Sequence, residues 1–420
     1  MNKLSQLRLY AVGLLTAASV YAGKSPFEAT ATTTLPANNI TITASGNNLE
    51  DFLSSLVNAQ GQFSQLDNKP FDASTTFLGV ANAITFSSNT TGTVVTMALG
   101  PIGFNRTFTG SSSEDVEDQI TDFFEKEGAE TIAEFLKAIA KKSPVAVTDG
   151  NPNSATAVMA SSLFLGQGFT PVDEIGFGLG QDMNADGSEG KPRFGGFGVG
   201  FNAGKFEAAG FEGETLDVSV SGLNFGLGER VRLVTPISLN YLKVEGAEVA
   251  GLGGSIALPI RFKVMNKDNR WNWRVTPLAG ISARASVDLG SGALLWQAGA
   301  INSVDYRVNS KLVFAFINQF TFHKSIELEY EDYSFDPKID QQIMKNGVRL
   351  VSPLTRRLIG DLFAVDTRFL KDAAVDQFWS FGGSLSLRAS QRFNLTLGAN
   401  YDTGDNFESY SVGLSSAWKW

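Results

Sequence analysis

Hydrophobic and polar residues alternate along most of the C-terminal part of the chain. In RFNLTLGANY, Phe393, Leu395, Leu397, Ala399 and Tyr401 share one face, and Asn394, Thr396, Gly398 and Asn400 the other. FWSFGGSLSLRAS, LVFAFINQFTF and SIALPIRFKV repeat the pattern. So does ESYSVGLSSAWKW, which sets Tyr410, Val412, Leu414, Trp418 and Trp420 on one side. A period of two marks strands with unlike faces. Turn signals divide the region into twelve expected strands: 213–224, 229–244, 253–264, 271–288, 293–307, 310–322, 325–335, 345–353, 358–370, 377–389, 391–401 and 407–420. EIGFGLGQ and FGGFGVGF add a candidate hairpin that would raise the number to fourteen.

Residues 23–165 follow another rhythm. NLEDFLSSLVNAQGQF places Phe52, Leu56, Val57 and Phe63 near helical spacing, while AITFSSNTTGTVVTMAL reads as two strand runs around Asn-Thr-Thr-Gly. SSSEDVEDQITDFFEKEG has Ser112 or Ser113 as N-cap, acids in the first turn and Gly128 as stop, with Val116, Ile120, Phe123 and Phe124 on one face. A second helix carries Ile132, Phe135, Leu136 and Ile139 and ends at Lys141-Lys142, before Ser143-Pro144. This region reads as a small soluble α+β unit with an amphipathic helix pair.

The first residues add a targeting signal. Lys3 and Arg8 precede an apolar run from Tyr10 to Val20, and Val20-Tyr21-Ala22 offers a cleavage site after Ala22. Residues 1–22 therefore read as a secretory signal peptide. The run is shorter than the ~20 residues a spanning helix needs. With 43% hydrophobic residues, 18% charged and a formal net charge of −9, the chain has no basic run to neutralise phosphates, so no nucleic-acid partner is expected. It has no cysteine, which excludes disulfides and thiol chemistry.

Three features favour a membrane barrel over a soluble sandwich for 166–420. The alternate face is Ser, Gly, Asn, Thr and single charges, as a wet lumen requires. Aromatics gather at strand ends, with Trp271, Trp273, Trp379, Tyr401 and Tyr410 assigned to one girdle and Phe393, Trp418 and Trp420 to the other. Connections alternate long and short, DTGDNFE and DYSFDPKIDQQIMKN against Ser390-Gln391 and His323-Lys324, which puts both termini on the periplasmic side. An open edge cannot persist in lipid, so the last strand is expected to close on the first. The fold class is mainly β: an antiparallel transmembrane β-barrel of about twelve strands after a small α+β region.

Here the sequence resembles the bacterial outer-membrane β-barrel proteins, porin-like and autotransporter-like. The resemblance covers roughly residues 170 to 420 and rests on YSVGLSSAWKW and the repeated amphipathic strands. In that family the last strand ends in an aromatic residue and serves as the assembly signal. The resemblance gives that role to Tyr410, Val412, Leu414, Trp418 and Trp420. The chain departs from the family in ending with Trp where Phe is commoner. Outer-membrane lipid and the outer-membrane assembly machinery are the implied partners, and the outer membrane the implied location.

Candidate chemistry is sparse. His323 is the one histidine and falls in an expected two-residue turn, so neither catalysis nor zinc ligation is expected. DMNADGSEGKPR begins like a calcium loop, with Asp182, Asn184, Asp186 and Ser188 as candidate weak ligands, but Arg193 stands where the bidentate Glu belongs. The inward parity selects Arg230, Arg232, Arg261, Lys263, Arg274, Arg284 and Arg388, and on SIELEYE it selects Glu327, Glu329 and Glu331. Opposed basic and acidic walls would line a selective pore, or pair internally and plug it. The leading expectation is a non-enzymatic channel for small polar solutes. The alternatives are an autotransporter-like barrel with a short N-terminal passenger and a structural or adhesive surface protein.

Overall fold

The computed structural model describes residues 25–34, 40–66, 69–124, 128–162, 164, 196–221, 224–227, 231–262, 270–309, 312–330, 333–390 and 392–419. The expected signal peptide and the candidate calcium ligands Asp182, Asn184, Asp186 and Ser188 lie outside them. The chain divides into two compact units. The first holds residues up to 146 and takes in the turns 244–248 and 286–291, while the second holds 147–243, 249–285 and 292–420.

The first unit is an antiparallel sheet of six strands with helices. Its strands are β1 (Phe27–Thr33), β2 (Thr41–Gly46), β3 (Phe71–Phe77), β4 (Val80–Ser88), β5 (Val94–Leu99) and β6 (Phe104–Thr109), in the order β2-β1-β3-β4-β5-β6. Phe27, Ile84, Met97 and Leu99 are fully buried on one face, each worth about 1.5–3 kcal/mol of burial. Helix α1 (Leu49–Phe63) buries Phe52 and Leu56, and Phe52 stacks on Phe27 at 5.8 Å. Val57 is exposed, one position off the core stripe. Helix α2 (Ser113–Asp122) is capped by Ser112, whose hydroxyl accepts from the Asp115 amide, and buries Val116 and Ile120. Helix α3 (Ala129–Lys142) buries Phe135 and Ile139, whereas Leu136 is exposed.

The second unit contains a closed barrel of twelve antiparallel strands. They are β7 (Gly196–Ala208), β8 (Phe211–Val220), β9 (Ile237–Val244), β10 (Ala247–Ala257), β11 (Trp271–Ser286), β12 (Ser291–Asn309), β13 (Leu312–Ser325), β14 (Asp340–Pro353), β15 (Leu358–Phe369), β16 (Gln377–Arg388), β17 (Phe393–Gly404) and β18 (Phe407–Lys419). Each pairs with the next, and β18 closes on β7 through the register Lys419↔Gly196, Trp418↔Phe197 and Leu414↔Phe201. Closure satisfies every ladder without an edge, as lipid demands. Ala209-Gly210 and Glu245-Gly246, left-handed at both residues, make two of the tight hairpins.

The number of strands matches the expectation, but one strand is exchanged. FGGFGVGF opens the first strand, β7, whereas EIGFGLGQ lies outside the described residues. Residues 325–335 do not cross the barrel; β13 runs on to Ser325, and a small hairpin follows (Leu328–Tyr330 with Tyr333–Phe335). Removing a strand there reverses the direction of every strand before it. Trp271 and Trp273 therefore share the rim of Phe393 and Trp418, the C-terminal rim, and Trp379, Tyr401 and Tyr410 mark the opposite one. Loop lengths do not sort by rim either. DTGDNFE is only a two-residue turn, at Asp405-Asn406, and long connections occur at both rims.

Candidate functional site: an occupied lumen

The barrel is inside out relative to a soluble protein. Phe314, Phe316, Phe322, Leu395, Leu397, Val412 and Leu414 are exposed on the outside, while Gln319, Thr321, His323, Thr396 and Ser415 are buried within. Trp418 faces outward beside Phe393 (4.9 Å) and Phe197 (6.4 Å), which places aromatic mass across the closing seam. Tyr410 stacks on Tyr401 at 4.8 Å. Trp420 lies outside the described residues.

The lumen holds the chain's own residues 147–162 and Phe164. Thr148, Asp149, Asn151, Ser154 and Thr156 are all buried. A tight turn precedes helix α4 (Ala155–Ser161): Ser154 Oγ donates to the Asn151 carbonyl at 2.6 Å, and Thr156 Oγ1 to Asp149 Oδ1 at 2.8 Å. Short side chains (ATAVMAS) let a helix fit in so narrow a space. A helix leaves its last carbonyls without partners, and here the wall supplies them. Gln297 Nε2 donates to the Met159 carbonyl (3.3 Å), and Gln319 Nε2 to that of Ala160 (2.7 Å). Lys345 Nζ donates to Ser161 Oγ (2.8 Å) and sits 4.9 Å from the centre of the Phe164 ring, at the helix end that favours a cation.

The segment has a direction. Gly150 accepts from the amides of Ala374 and Val375 (2.7 and 3.2 Å), and Gln341 Nε2 donates to Asp149 Oδ2 (3.3 Å), all at the rim opposite the C-terminus. Phe164 lies deeper, against Gly347, in an apolar layer with Val234, Ala257, Leu278, Ile301, Ala315, Ile317, Phe363 and Val365. β7 then starts at the C-terminal rim. Asp149 and Gly196 thus lie at opposite rims.

The charged residues form local pairs in the wall. Arg274 bonds Asp305 at 2.8 Å, with Asn272 donating to the same carboxylate at 3.0 Å and Arg261 Nε donating to Asn272 at 2.7 Å. Arg349 pairs with Asp361. Arg284 is buried with its Nε and Nη1 without hydrogen-bond partners, and it lines the same cavity as Asp217, which Asn240 bonds at 2.8 Å. Arg232 and Arg388 are half-buried; Arg230, Lys263 and Glu331 lie outside the described residues. Glu327 is exposed beyond the end of β13, and Glu329 belongs to the small hairpin. Neither Glu327 nor Glu329 is part of the barrel wall, which corrects the expected acidic wall at these two positions. Among the described residues the acids of the wall that face the lumen are Asp217, Asp305, Asp361 and Asp402, single inward positions that run-based reading passed over. His323, too, is inside the barrel, its Nε2 2.9 Å from Thr321 Oγ1. Polar residues at the inward parity imitate a turn. Among the described residues no cluster of acidic and histidine side chains could hold a metal ion.

A cavity of about 200 Å³ remains between the segment and the wall, with Asn153, Met159, Ser162, Asp217, Arg284 and Asp402 on its lining.

No family model and no curated protein matches the sequence. Solved structures do. The β domain of the Bordetella autotransporter BrkA is 12% identical with a TM-score of 0.39, covering 54% of this chain and 99% of that one. The translocator domain of the autotransporter NalP from Neisseria meningitidis is 12% identical with a TM-score of 0.39, covering 54% and 88%. The COG4313 outer-membrane channel from Pseudomonas putida F1 is 10% identical with a TM-score of 0.40, covering 55% and 96%. The second unit is an outer-membrane-type β-barrel. This rests on the chain's own pairing, closed ring and apolar exterior.

Proposed function

We propose that the chain is an autotransporter-like barrel of the outer membrane, anchoring its own N-terminal α+β unit by a segment threaded through the lumen. The observation that carries this reading is the seating of 147–162, with Asp149 at the rim opposite the C-terminus and Phe164 deep within. The N-terminal unit is then the passenger, carried to the cell surface. In this reading the barrel is not an enzyme. Its partners are outer-membrane lipid and, through the outward aromatics of β18, the assembly machinery.

Intact cells treated with protease test the reading. Residues 25–146 should be digested while the barrel fragment survives. Protection of the unit until the envelope is permeabilised would overturn it. A second reading, a channel for small polar solutes, is favoured by the polar cavity beside the segment. It requires the apolar layer around Phe164 to open, and it predicts steady conductance of the purified chain in planar bilayers.

A further inference from the structure

On a barrel strand every second residue meets lipid, and on β12, β13 and β14 a polar residue stands at such a position in the middle of the strand, away from the polar residues near the strand ends (Lys324, Asp340, Gln342 and Ser352). Asn302 pairs with Asn318, Asn318 with Asn346, and Asn346 with Asp366, each directly opposite the next in register. All four share the outward parity of their strands. Asn318 stands between Phe316 and Phe320, with Phe314 and Phe322 beyond them.

The row crosses the middle of β12, β13 and β14 and reaches the rim opposite the C-terminus only at Asp366 on β15. On its C-terminal side Trp273 Nε1 donates to Asn302 Oδ1 at 2.7 Å. At the opposite rim Asp366 is the register partner of Trp379 and accepts from Arg368 Nε (2.8 Å) and Gln377 Nε2 (2.7 Å). Strand tilt turns a row perpendicular to the strands into a diagonal across the apolar band. A polar side chain in the hydrocarbon is costly unless it is paired. One bond in the row's centre does this in part, with Asn318 Nδ2 donating to Asn346 Oδ1 at 2.7 Å. It leaves the Asn318 carbonyl and the Asn346 amino group on the lipid-facing surface.

The geometry points to a homodimer interface centred on Asn318 and Asn346. The charge pattern selects a second copy as the occupant. An amide pair with one carbonyl and one amino group outstanding is complementary to itself across a two-fold axis. Asp366, the one charge in the row, is paired with Arg368, so the row itself brings no net charge to the contact. Two diagonals related by an axis along the membrane normal cross at one point, and the central Asn pair lies there. A lipid headgroup is the poorer occupant, because phenylalanines bury the centre from both rims.

The absence of cysteine makes the test clean. Phe316→Cys is placed next to the centre, and Leu397→Cys, exposed on β17, serves as the control face. Both are reconstituted as the full chain in phospholipid vesicles and oxidised. Phe316→Cys should give a covalent dimer and Leu397→Cys should not. Adding Asn318→Leu and Asn346→Leu to Phe316→Cys should lower the crosslinked fraction about tenfold. Heat-modifiable gel mobility reports that the barrel is still folded, and two leucines on a lipid face favour insertion. Crosslinking no greater than in Leu397→Cys, or unchanged by the leucines in folded protein, would overturn the dimer. If the autotransporter reading fails by protease protection, this result is unaffected.

Discussion

The tethers of the lumen segment can be cut one at a time. Gln297→Leu and Gln319→Leu each remove a donor to a carbonyl at the C-terminal end of α4, those of Met159 and Ala160. A buried carbonyl left without a partner costs about 1–3 kcal/mol. Part of that is returned, because Oε1 of each glutamine is itself buried without a protein partner, and leucine removes it. The net expectation is therefore near the lower limit, about 1 kcal/mol per site and about 2 for the pair. If the segment exchanges between seated and released states, that raises the released fraction roughly thirtyfold, at 1.4 kcal/mol per factor of ten. Single-channel recording in planar bilayers reads the released state as openings. The double variant should open about thirty times as often as the parent, with gel mobility unchanged. Equal open probability in both proteins would mean that the two glutamines do not hold the segment. So would equal proteolysis of 147–164 in detergent.

Other perturbations address the wall, the seam and the first unit. Asp305→Leu removes the carboxylate that Arg274 bonds at 2.8 Å in a buried site, and thermal unfolding should show a loss of about 3–5 kcal/mol, which Arg274→Met in the same chain should largely restore. Trp418→Asp places a charge between Phe393 and Phe197 at the closing seam, and the fraction of heat-modifiable protein in the membrane should fall well below that of Trp418→Phe. Asp115 has its carboxyl held below the ordinary value of 3.8, first by the Ser111 amide, then by the Gln119 and Ser111 side chains. Its contribution to the start of α2 is thus complete above that value and lost as pH falls through the lowered one. The protection factor of the Ser111 amide, its exchange rate relative to an unstructured peptide at the same pH, should fall in acid in the parent chain and lose that dependence in Asp115→Asn.

The period of two, the outward aromatics and the closing role of the last strand were legible in the sequence, because a membrane wall constrains each residue through its own parity. The helices of the first unit were equally legible, since capping by Ser112 and the stripe of Val116 and Ile120 act within a few residues. Other features waited for the tertiary structure. A polar residue at an inward position looks the same as one in a turn, so His323 and residues 325–335 were misplaced, and one miscounted strand reversed the rim of Trp271 and Trp273. Residues 147–164 carry no sign of their location, because small side chains suit a linker as well as a lumen. Only the assembled wall brings Gln297, Gln319, Gln341 and Lys345, distant in sequence, around one short helix. The row from Asn302 to Asp366 depends on strand register, which hydrogen bonding across four strands decides and no single strand contains.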